Sequence, residues 1–285
     1  MTLPPLDSAP DIDCLARELL KESKAFDKFP TQVDRIIDCA ELTVDHRINL
    51  SEVQLDFFSD KPDIVTGALK KILGLIDLRD KTIYLDHDQR RSRKNFIKLH
   101  EVGHDAIPWQ RDALCFADDK TTLDPMVLLV FEREASYFAS AALFQLDRFE
   151  ALAAKMPLRF TSAMQFAQKF DSSVQSAIRR YVEHSKKRCA CLVLEPPVSS
   201  PAFSAVIRNY FQSPAFQADV GNLVWPQVCG LEFPFIRDLK LKRKLHENGV
   251  ILLTSTAVEP LPFEYHFFNN SYNAFVFLKP KGEET

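Results

Sequence analysis

The sequence predicts an α+β fold, with helices and a small sheet in its first part and a β-rich domain at its C-terminal end. Apolar residues recur at helical three- and four-residue steps as far as residue 184, whereas alternating apolar runs dominate from Cys189 onwards. The chain has 285 residues, 46% of them apolar and 26% charged, which is enough to bury a core in each part. We therefore divide it into residues 1–155, a helical segment 156–188 and a C-terminal α+β domain 189–285.

Composition excludes several classes of function. The formal net charge is −3, and neither G-x-G-x-x-G nor G-x-x-x-x-G-K-[ST] occurs, so a phosphate-coating or nucleotide-binding protein is not expected. The six cysteines are scattered, and Cys189 and Cys191 fit an alternating strand better than a zinc knuckle. No apolar run approaches the roughly 18 residues of a membrane span, and Met1 to Pro10 lacks the apolar core of a secretion signal. We expect a soluble cytoplasmic protein with reduced thiols and no membrane partner.

The first elements are two helices and a strand. Residues 11–26 carry apolar side chains at helical spacing, and Pro30 opens a second helix that continues to Ala40. Residues 42–50 alternate weakly, which predicts a strand that residues 53–58 extend.

A β-hairpin is predicted next. Residues 75–78 and 82–85 form two apolar runs separated by the polar turn Arg79-Asp80-Lys81, and Tyr84 lies near the end of the second run. Because the second strand leads into the helix described below, we expect it to form the sheet edge on which an extended peptide adds as a further strand.

The central motif is His100-Glu101-Val102-Gly103-His104. On an α-helix its two histidines, four positions apart, differ by about 40° around the axis, so both imidazoles can bind one metal ion. Glu101 would lie at the edge of that face, where it can take a proton from a metal-bound water. The alternative is a chance match in which both histidines make ordinary hydrogen bonds.

Two glutamates interrupt a long apolar helix that follows a predicted loop. Pro108 and several charges predict a loop over residues 105–123, whereas residues 126–144 predict a helix containing Glu132 and Glu134. These two carboxylates differ by about 200° around the axis. Glu132 shares its stripe with leucine and alanine side chains, and a metal ion would compensate a carboxylate buried there. We therefore predict that Glu132 is the buried one.

Two motifs resemble those of the ImmA/IrrE family of zinc-dependent metallo-endopeptidases, which shows H-E-x-G-H and then E-x-x-A-[ND]-x-F-A on the next helix. The first is His100-Glu101-Val102-Gly103-His104; the second begins 28 residues later as Glu132-Arg133-Glu134-Ala135-Ser136-Tyr137-Phe138-Ala139. The resemblance covers residues 25–185 and implies a zincin-like peptidase domain over residues 1–155. It also implies a Zn²⁺ ion bound by His100, His104 and Glu132, with Glu101 as the general base.

Two positions depart from the family pattern. Ser136 stands where the family has Asn or Asp, a residue that hydrogen-bonds a ligand histidine in related zinc peptidases. A hydroxyl can accept such a bond without a full negative charge, which implies weaker zinc binding. The Leu-Met-Pro ending of the family's helix is replaced by Leu143-Phe144-Gln145-Leu146. This departure bears on the expected substrate groove and not on the metal site.

The resemblance implies an endopeptidase that hydrolyses a peptide bond in a protein partner, namely a helix-turn-helix transcriptional repressor, and so induces a stress, phage or mobile-element response. Tyr84 and Tyr137 are candidates for stabilising the oxyanion, although such aromatic residues more often pack in a core or interface. Two alternatives remain open. One is a regulatory module of weak or no activity that binds a repressor or DNA, and the other is a toxin-like hydrolase with the same zinc residues.

Residues 158–184 predict two short helices separated by Phe170-Asp171-Ser172-Ser173, similar to the helix-turn-helix-like element that follows the peptidase domain in this family. Such an element can present basic side chains to nucleic acid, here Arg179, Arg180, Lys186, Lys187 and Arg188. A packing element with a solvated basic end is the preferred interpretation. Runs at 190–194, 249–253 and 265–278 then predict the strands of a C-terminal domain that is sensor-like in this family.

Overall fold

The structure, a computed structural model, describes residues 6–49, 74–117, 123–256 and 260–282. Within these ranges the chain forms ten helices and two sheets, which confirms the predicted α+β class. The contacts divide it into two compact units. The first extends to Phe149 and includes residues 168–173, and the second contains residues 150–167 and the chain from Val174 onwards. The finer division into 1–155, 156–188 and 189–285 stays a prediction.

The first unit is mainly helical, with a three-stranded sheet. Its elements are α1 (Ala9–Glu22), α2 (Val33–Cys39), β1 (Thr43–Asn49), β2 (Gly74–Asp77), β3 (Thr82–Leu85), α3 (Arg91–Ala106), α4 (Pro108–Ala117) and α5 (Pro125–Phe144). Helix α1 packs on α5 through a stripe that recurs every four residues and is fully buried at Ile12, Ala16 and Leu20. Helix α5 begins with Pro125 after Asp124, whose side chain accepts a hydrogen bond from Met126 N.

The small sheet has the strand order β1-β3-β2. Strands β2 and β3 form the predicted antiparallel hairpin, and β1 pairs with β3 in parallel. The expectation that β3 forms the sheet edge is therefore wrong, because β1 and β2 cover both of its sides. The hairpin turn determines only that β2 pairs with one side of β3. The other side pairs with β1, which comes from an earlier part of the chain. The predicted extension over residues 53–58 lies outside the described residues.

The predicted loop over residues 105–123 is also wrong in its described part. Helix α3 continues to Ala106, and α4 begins at Pro108. Proline interrupts a helix but also favours its first position, where the missing N–H has no intrahelical partner. Pro108 therefore starts a new helix, and residues 118–122 lie outside the described ranges.

The second unit contains a six-stranded antiparallel sheet in the order β6-β5-β4-β9-β8-β7. The strands are β4 (Ala190–Leu194), β5 (Ala205–Gln212), β6 (Val228–Cys229), β7 (Leu245–Leu253), β8 (Leu261–Asn269) and β9 (Ala274–Pro280). The remaining helices of the chain are α6 (Asp147–Ala153), α7 (Phe160–Lys169), α8 (Val174–Glu183), α9 (Pro214–Val220) and α10 (Pro234–Lys240). The predicted run 265–278 is thus two strands joined by a turn.

Both faces of this sheet are covered, which explains why β4 and β9 are almost wholly buried. On one face a core that includes Phe216, Phe235 and Phe263 forms with α9 and α10. On the other, Phe160 packs against Phe277, and α8 lies against β4 and β5. Among the described residues, no helix is both long and apolar enough to cross a membrane.

Candidate metal centre

Two helices bring the motif residues together. Helix α3 carries His100, Glu101 and His104, and it packs against α5, which carries Glu132. The helices approach closely at Gly103, where a Cβ atom would lie 3.2 Å from the Cα atom of Ala135. A larger residue at this position would separate the two helices, so the glycine of the motif allows them to converge.

The ligand atoms of His100, His104 and Glu132 converge on one point. The Nε2 atoms of the two histidines are 3.2 Å apart, and each faces one oxygen of Glu132, at 3.1 Å from His100 and 3.5 Å from His104. Among the described residues, these three form the one group of histidine, cysteine or acidic side chains arranged to hold a metal ion.

The spacing suits a small tetrahedral cation. A tetrahedral ion with ligand bonds of 2.0–2.1 Å, as for zinc with nitrogen and oxygen ligands, requires its ligand atoms to lie about 3.3–3.4 Å apart. The two Nε2 atoms are 3.2 Å apart, and each lies 3.1 or 3.5 Å from its nearer Glu132 oxygen, so the separations bracket that value. Two imidazoles and one carboxylate also leave a fourth position for water or substrate, as in catalytic sites. The residues therefore fit a zinc-like ion, although this donor set alone does not distinguish zinc from other divalent metals.

Each histidine has a partner at its other ring nitrogen. Ser136 Oγ lies 3.2 Å from Nδ1 of His100, and Gln110 Oε1 lies 2.8 Å from Nδ1 of His104. The Gln110 amide nitrogen points at two acceptors, Phe131 O at 3.1 Å and Glu134 Oε2 at 2.6 Å. Its oxygen must then accept from Nδ1–H of His104, which leaves the Nε2 lone pair free for a metal ion.

Glu134 is the buried carboxylate, and the prediction that Glu132 is buried is wrong. Glu134 is 5% exposed, whereas the side chain of Glu132 is 44% exposed. The cost of burying Glu134 is offset by three donors: Ser8 Oγ at 2.5 Å, Trp109 Nε1 at 2.9 Å and Gln110 Nε2 at 2.6 Å. Glu132 instead lies half-exposed beside the two histidines, as expected for a ligand of a metal site that substrate can reach.

Glu101 is buried next to the sheet. It is 5% exposed, and a Cβ atom on Gly74 of β2 would lie 2.8 Å from its Oε1 atom. Strand β2 can therefore pass over this carboxylate only because residue 74 is glycine. Burial raises the pKa of Glu101 above its usual range, against the opposing influence of the two nearby imidazoles. A carboxylate whose pKa is raised in this way is a better proton acceptor.

The pKa values of the candidate ligands shift in opposite directions. Burial alone would raise the pKa of Glu132, but hydrogen bonds from His100 and His104 lower it well below its usual range. Burial alone would lower the pKa of His104, but the Glu132 carboxylate and the charge of Glu101 raise it. Without a metal ion, the Glu132 carboxylate and the His104 imidazole thus favour each other's charged forms. A bound cation would take the place of the proton on the imidazole.

The two tyrosines are not brought to the triad. Tyr84 pairs with Leu75 across the hairpin, on the face opposite to Gly74 and Leu85, and Gly74 is the residue that faces Glu101. Tyr137 lies five positions after Glu132 on α5, which turns its side chain about 140° away around the helix. Neither position supports a contact with the oxyanion.

The basic residues of the helical segment are mostly engaged within the second unit. Arg180 is buried, Arg179 pairs with Glu183 at 2.9 Å, and Arg188 pairs with Asp219 at 3.4 Å. Since α8 packs on β4 and β5 and Arg180 is buried, the arrangement favours the packing interpretation.

Sequence reasoning missed Gln110 and Glu134 as parts of this centre. Gln110 lies in the segment predicted to be a loop, and Glu134 lies in the second motif without being assigned a role. A signal was nevertheless present, since Trp109 and Gln110 follow Pro108, which favours the first position of a helix close behind the histidines.

Comparison with known proteins supports the fold and no more. No protein-family model and no curated protein matches the sequence. A solved structure described as a Mycobacterium tuberculosis transcriptional regulator is similar, with a TM-score of 0.53 over 94% of this chain and 75% of that chain. The two sequences are 12% identical, so this similarity shows a shared arrangement of elements and does not assign a function.

Proposed function

We propose that the protein is a zinc-dependent endopeptidase with a zincin-like first unit, related to the ImmA/IrrE family. The observation that carries this proposal is the convergence of His100 Nε2, His104 Nε2 and the Glu132 carboxylate at separations close to those of a tetrahedral site, with Glu101 next in sequence to the first ligand. The contacts at the other ring nitrogens support it: Gln110 Oε1 accepts from Nδ1–H of His104, and Ser136 Oγ lies at Nδ1 of His100. Both contacts orient the histidines as a metal site requires.

The residues of the chain have separate tasks in this reaction. A zinc ion held by His100, His104 and Glu132 would supply Lewis acidity, which lowers the pKa of water from 15.7 to about 7. Glu101, whose pKa is raised by burial, accepts the proton of the attacking water and delivers it to the leaving amine. Gln110 and Ser136 keep the imidazoles in the tautomer that presents Nε2.

The substrate proposed is an extended segment of a protein partner. Strand β2 is an edge of the small sheet among the described residues, and its Gly74 lies over Glu101. A peptide that adds to this edge as a further strand would bring its backbone next to the general base. By resemblance to the family, the partner is a helix-turn-helix transcriptional repressor, whose cleavage would induce a stress, phage or mobile-element response.

The test combines metal content with cleavage. The purified protein should contain about one zinc per chain, and His100→Ala should lose it. Glu101→Gln should retain the zinc but fail to cut a peptide library that the wild type cuts, with Glu18→Gln, an exposed glutamate, as the matched control. Wild-type cleavage rates in the Glu101→Gln variant would show that Glu101 is not the general base.

A regulatory binding module is the second candidate. The observation that favours it is the neutral hydroxyl of Ser136 at His100, where the family has Asn or Asp. Zinc-free protein that still binds a helix-turn-helix repressor would support the module, whereas bound zinc that disappears in His100→Ala supports the enzyme.

A further inference from the structure

A strongly basic turn lies at the end of α10 in the second unit, far in sequence from the candidate metal ligands. Five cationic residues fall within eight positions and all are exposed: Arg237, Lys240, Lys242, Arg243 and Lys244. We call these five residues the basic turn. The whole chain carries a formal net charge of −3, so this concentration of positive charge is local and is hidden in the overall composition.

Three lysines of the basic turn are not neutralised by neighbours. Lys240, Lys242 and Lys244 make no side-chain hydrogen bond or ion pair with any other residue that the structure describes. Lys242 also has φ 53, a left-handed conformation in which glycine is usual. A side chain at such a helix end costs about 1 kcal/mol relative to glycine. Repulsion among the lysines adds to that cost, so the fold gains no stability from their placement.

The backbone of the turn is nevertheless well anchored. Asp238, which is buried, accepts hydrogen bonds from Arg243 at 2.9 Å, from His246 at 2.6 Å and from Tyr265 at 2.8 Å. Backbone bonds from Lys242 N to Leu239 O and from Arg243 N to Asp238 O close the helix end. The lysines are therefore presented from a preorganised loop, which reduces the entropy lost when they bind a partner.

An exposed aromatic ring lies at the same end of the sheet. Asn269 N donates to Lys244 O, which places the β8–β9 turn beside the basic turn. Tyr272 in that turn is 71% exposed. The turn itself is fixed, because Asn270 Oδ1 accepts from both Tyr272 N and Asn273 N. Cations beside an exposed aromatic ring suit a strand that offers phosphates and unstacked bases.

We infer that the basic turn and Tyr272 form a binding surface for single-stranded nucleic acid. Lys240, Lys242 and Lys244 contact successive phosphates, and a base stacks on Tyr272. An anionic membrane would also attract the lysines, and Leu241, 65% exposed between two of them, could enter it. We favour nucleic acid because the ring of Tyr272 stands in a rigid polar turn, whereas membrane insertion requires a continuous apolar face.

The test measures binding of a fluorescent, mixed-sequence single strand of about 20 nucleotides to the full chain by anisotropy over a range of salt concentrations. The triple variant Lys240→Gln, Lys242→Gln, Lys244→Gln should bind about a hundredfold more weakly at about 0.1 M salt, with a salt slope shallower by about 2, because each phosphate contact contributes about 0.7 to that slope. Tyr272→Ala should weaken binding about tenfold with an unchanged slope, and Tyr272→Phe should restore it.

The matched control is the triple variant Lys21→Gln, Lys24→Gln, Lys28→Gln. These lysines are also exposed and span eight positions, but Glu22 and Asp27 lie among them. The control should bind like the wild type, and no variant should unfold at a lower temperature than the wild type, because the substituted side chains are exposed. Equal losses in both triple variants, or no binding of the oligonucleotide, would overturn the inference. So would lysine-dependent binding to phosphatidylserine vesicles in place of the oligonucleotide.

Discussion

Gln110 Oε1 lies 2.8 Å from Nδ1 of His104, and the amide nitrogen of the same side chain donates to Glu134 at 2.6 Å. One fully buried glutamine thus joins a candidate metal ligand to a buried carboxylate. Such partners fix the tautomer of a ligand histidine and raise its basicity. Metal affinity at this centre should therefore depend on residues that do not reach the metal.

Gln110→Met is the direct test of this dependence. Methionine fills a similar volume but cannot accept from Nδ1–H, so His104 loses the partner that orients it. We expect zinc to bind 10–100-fold more weakly, measured by competition with a chromophoric chelator. Gln165→Met, at an exposed glutamine on α7, should leave zinc affinity unchanged. Equal affinity in Gln110→Met and wild type would show that the Gln110 contact does not matter for the metal.

Glu132 and Glu134 should have separable roles. Glu132→Leu removes a half-exposed candidate ligand, so zinc binding should be lost while the metal-free protein loses less free energy of unfolding than Glu134→Leu does. Glu134→Leu leaves the donors of Ser8, Trp109 and Gln110 without an acceptor, and should lower that free energy by about 3 kcal/mol. Urea unfolding of the metal-free variants together with zinc titration measures both effects. The reverse pattern would indicate that Glu134, and not Glu132, binds the metal.

The spacing of apolar and polar residues correctly predicted the elements that are determined within one segment of the chain. The helices at α1 and α5, the β2–β3 hairpin and the shared face of His100 and His104 all follow from the positions of apolar and polar residues along one segment. The burial of Glu134 does not. Periodicity gives the angle between two carboxylates on one helix, but not which of them meets donors contributed by distant positions.

The donors of Glu134 illustrate the limit. Ser8 lies 126 positions away in the sequence, and only the packing of α1 on α5 brings it to the carboxylate. The place of β3 in the middle of the sheet is a similar case, since residues 50–81 separate it in the sequence from its parallel partner β1. Tertiary pairings of this kind follow from the fold as a whole, and a single sequence contains little signal for them.

Gly74→Ala should disturb the general base. The added methyl group would meet Ile97 Cγ2, and it would lie 2.8 Å from Oε1 of Glu101. We expect the free energy of unfolding to fall by about 1–3 kcal/mol, as for overpacked sites, and peptide cleavage to fall more than zinc affinity, since the ligands are on other elements. Gly230→Ala is the control, because the three atoms nearest to its methyl group all belong to the Glu232 side chain. An unchanged melting temperature in Gly74→Ala would show that β2 can shift enough to accommodate the methyl group without loss of stability.

His184 should make stability depend on pH in the weakly acidic range. Burial, reinforced by the charge of Arg180, lowers the pKa of His184 to about 3. Glu150 lies 3.1 Å from Nδ1 and favours the charged imidazole, but Glu150 is 45% exposed and the histidine 25%, so burial prevails. In the unfolded chain the histidine titrates near 6.5, and the unfolded state therefore binds more protons between the two values.

Stability must then fall as the pH decreases from 6.5 towards 3. Between about pH 7 and pH 5 the loss for one such histidine approaches about 2 kcal/mol. Glutamine cannot gain a proton, so His184→Gln should lose less stability than the wild type over this interval, whatever its stability at neutral pH. Urea unfolding at both pH values measures the two differences. If both proteins lose the same amount, His184 becomes protonated in the folded state and Glu150 outweighs its burial.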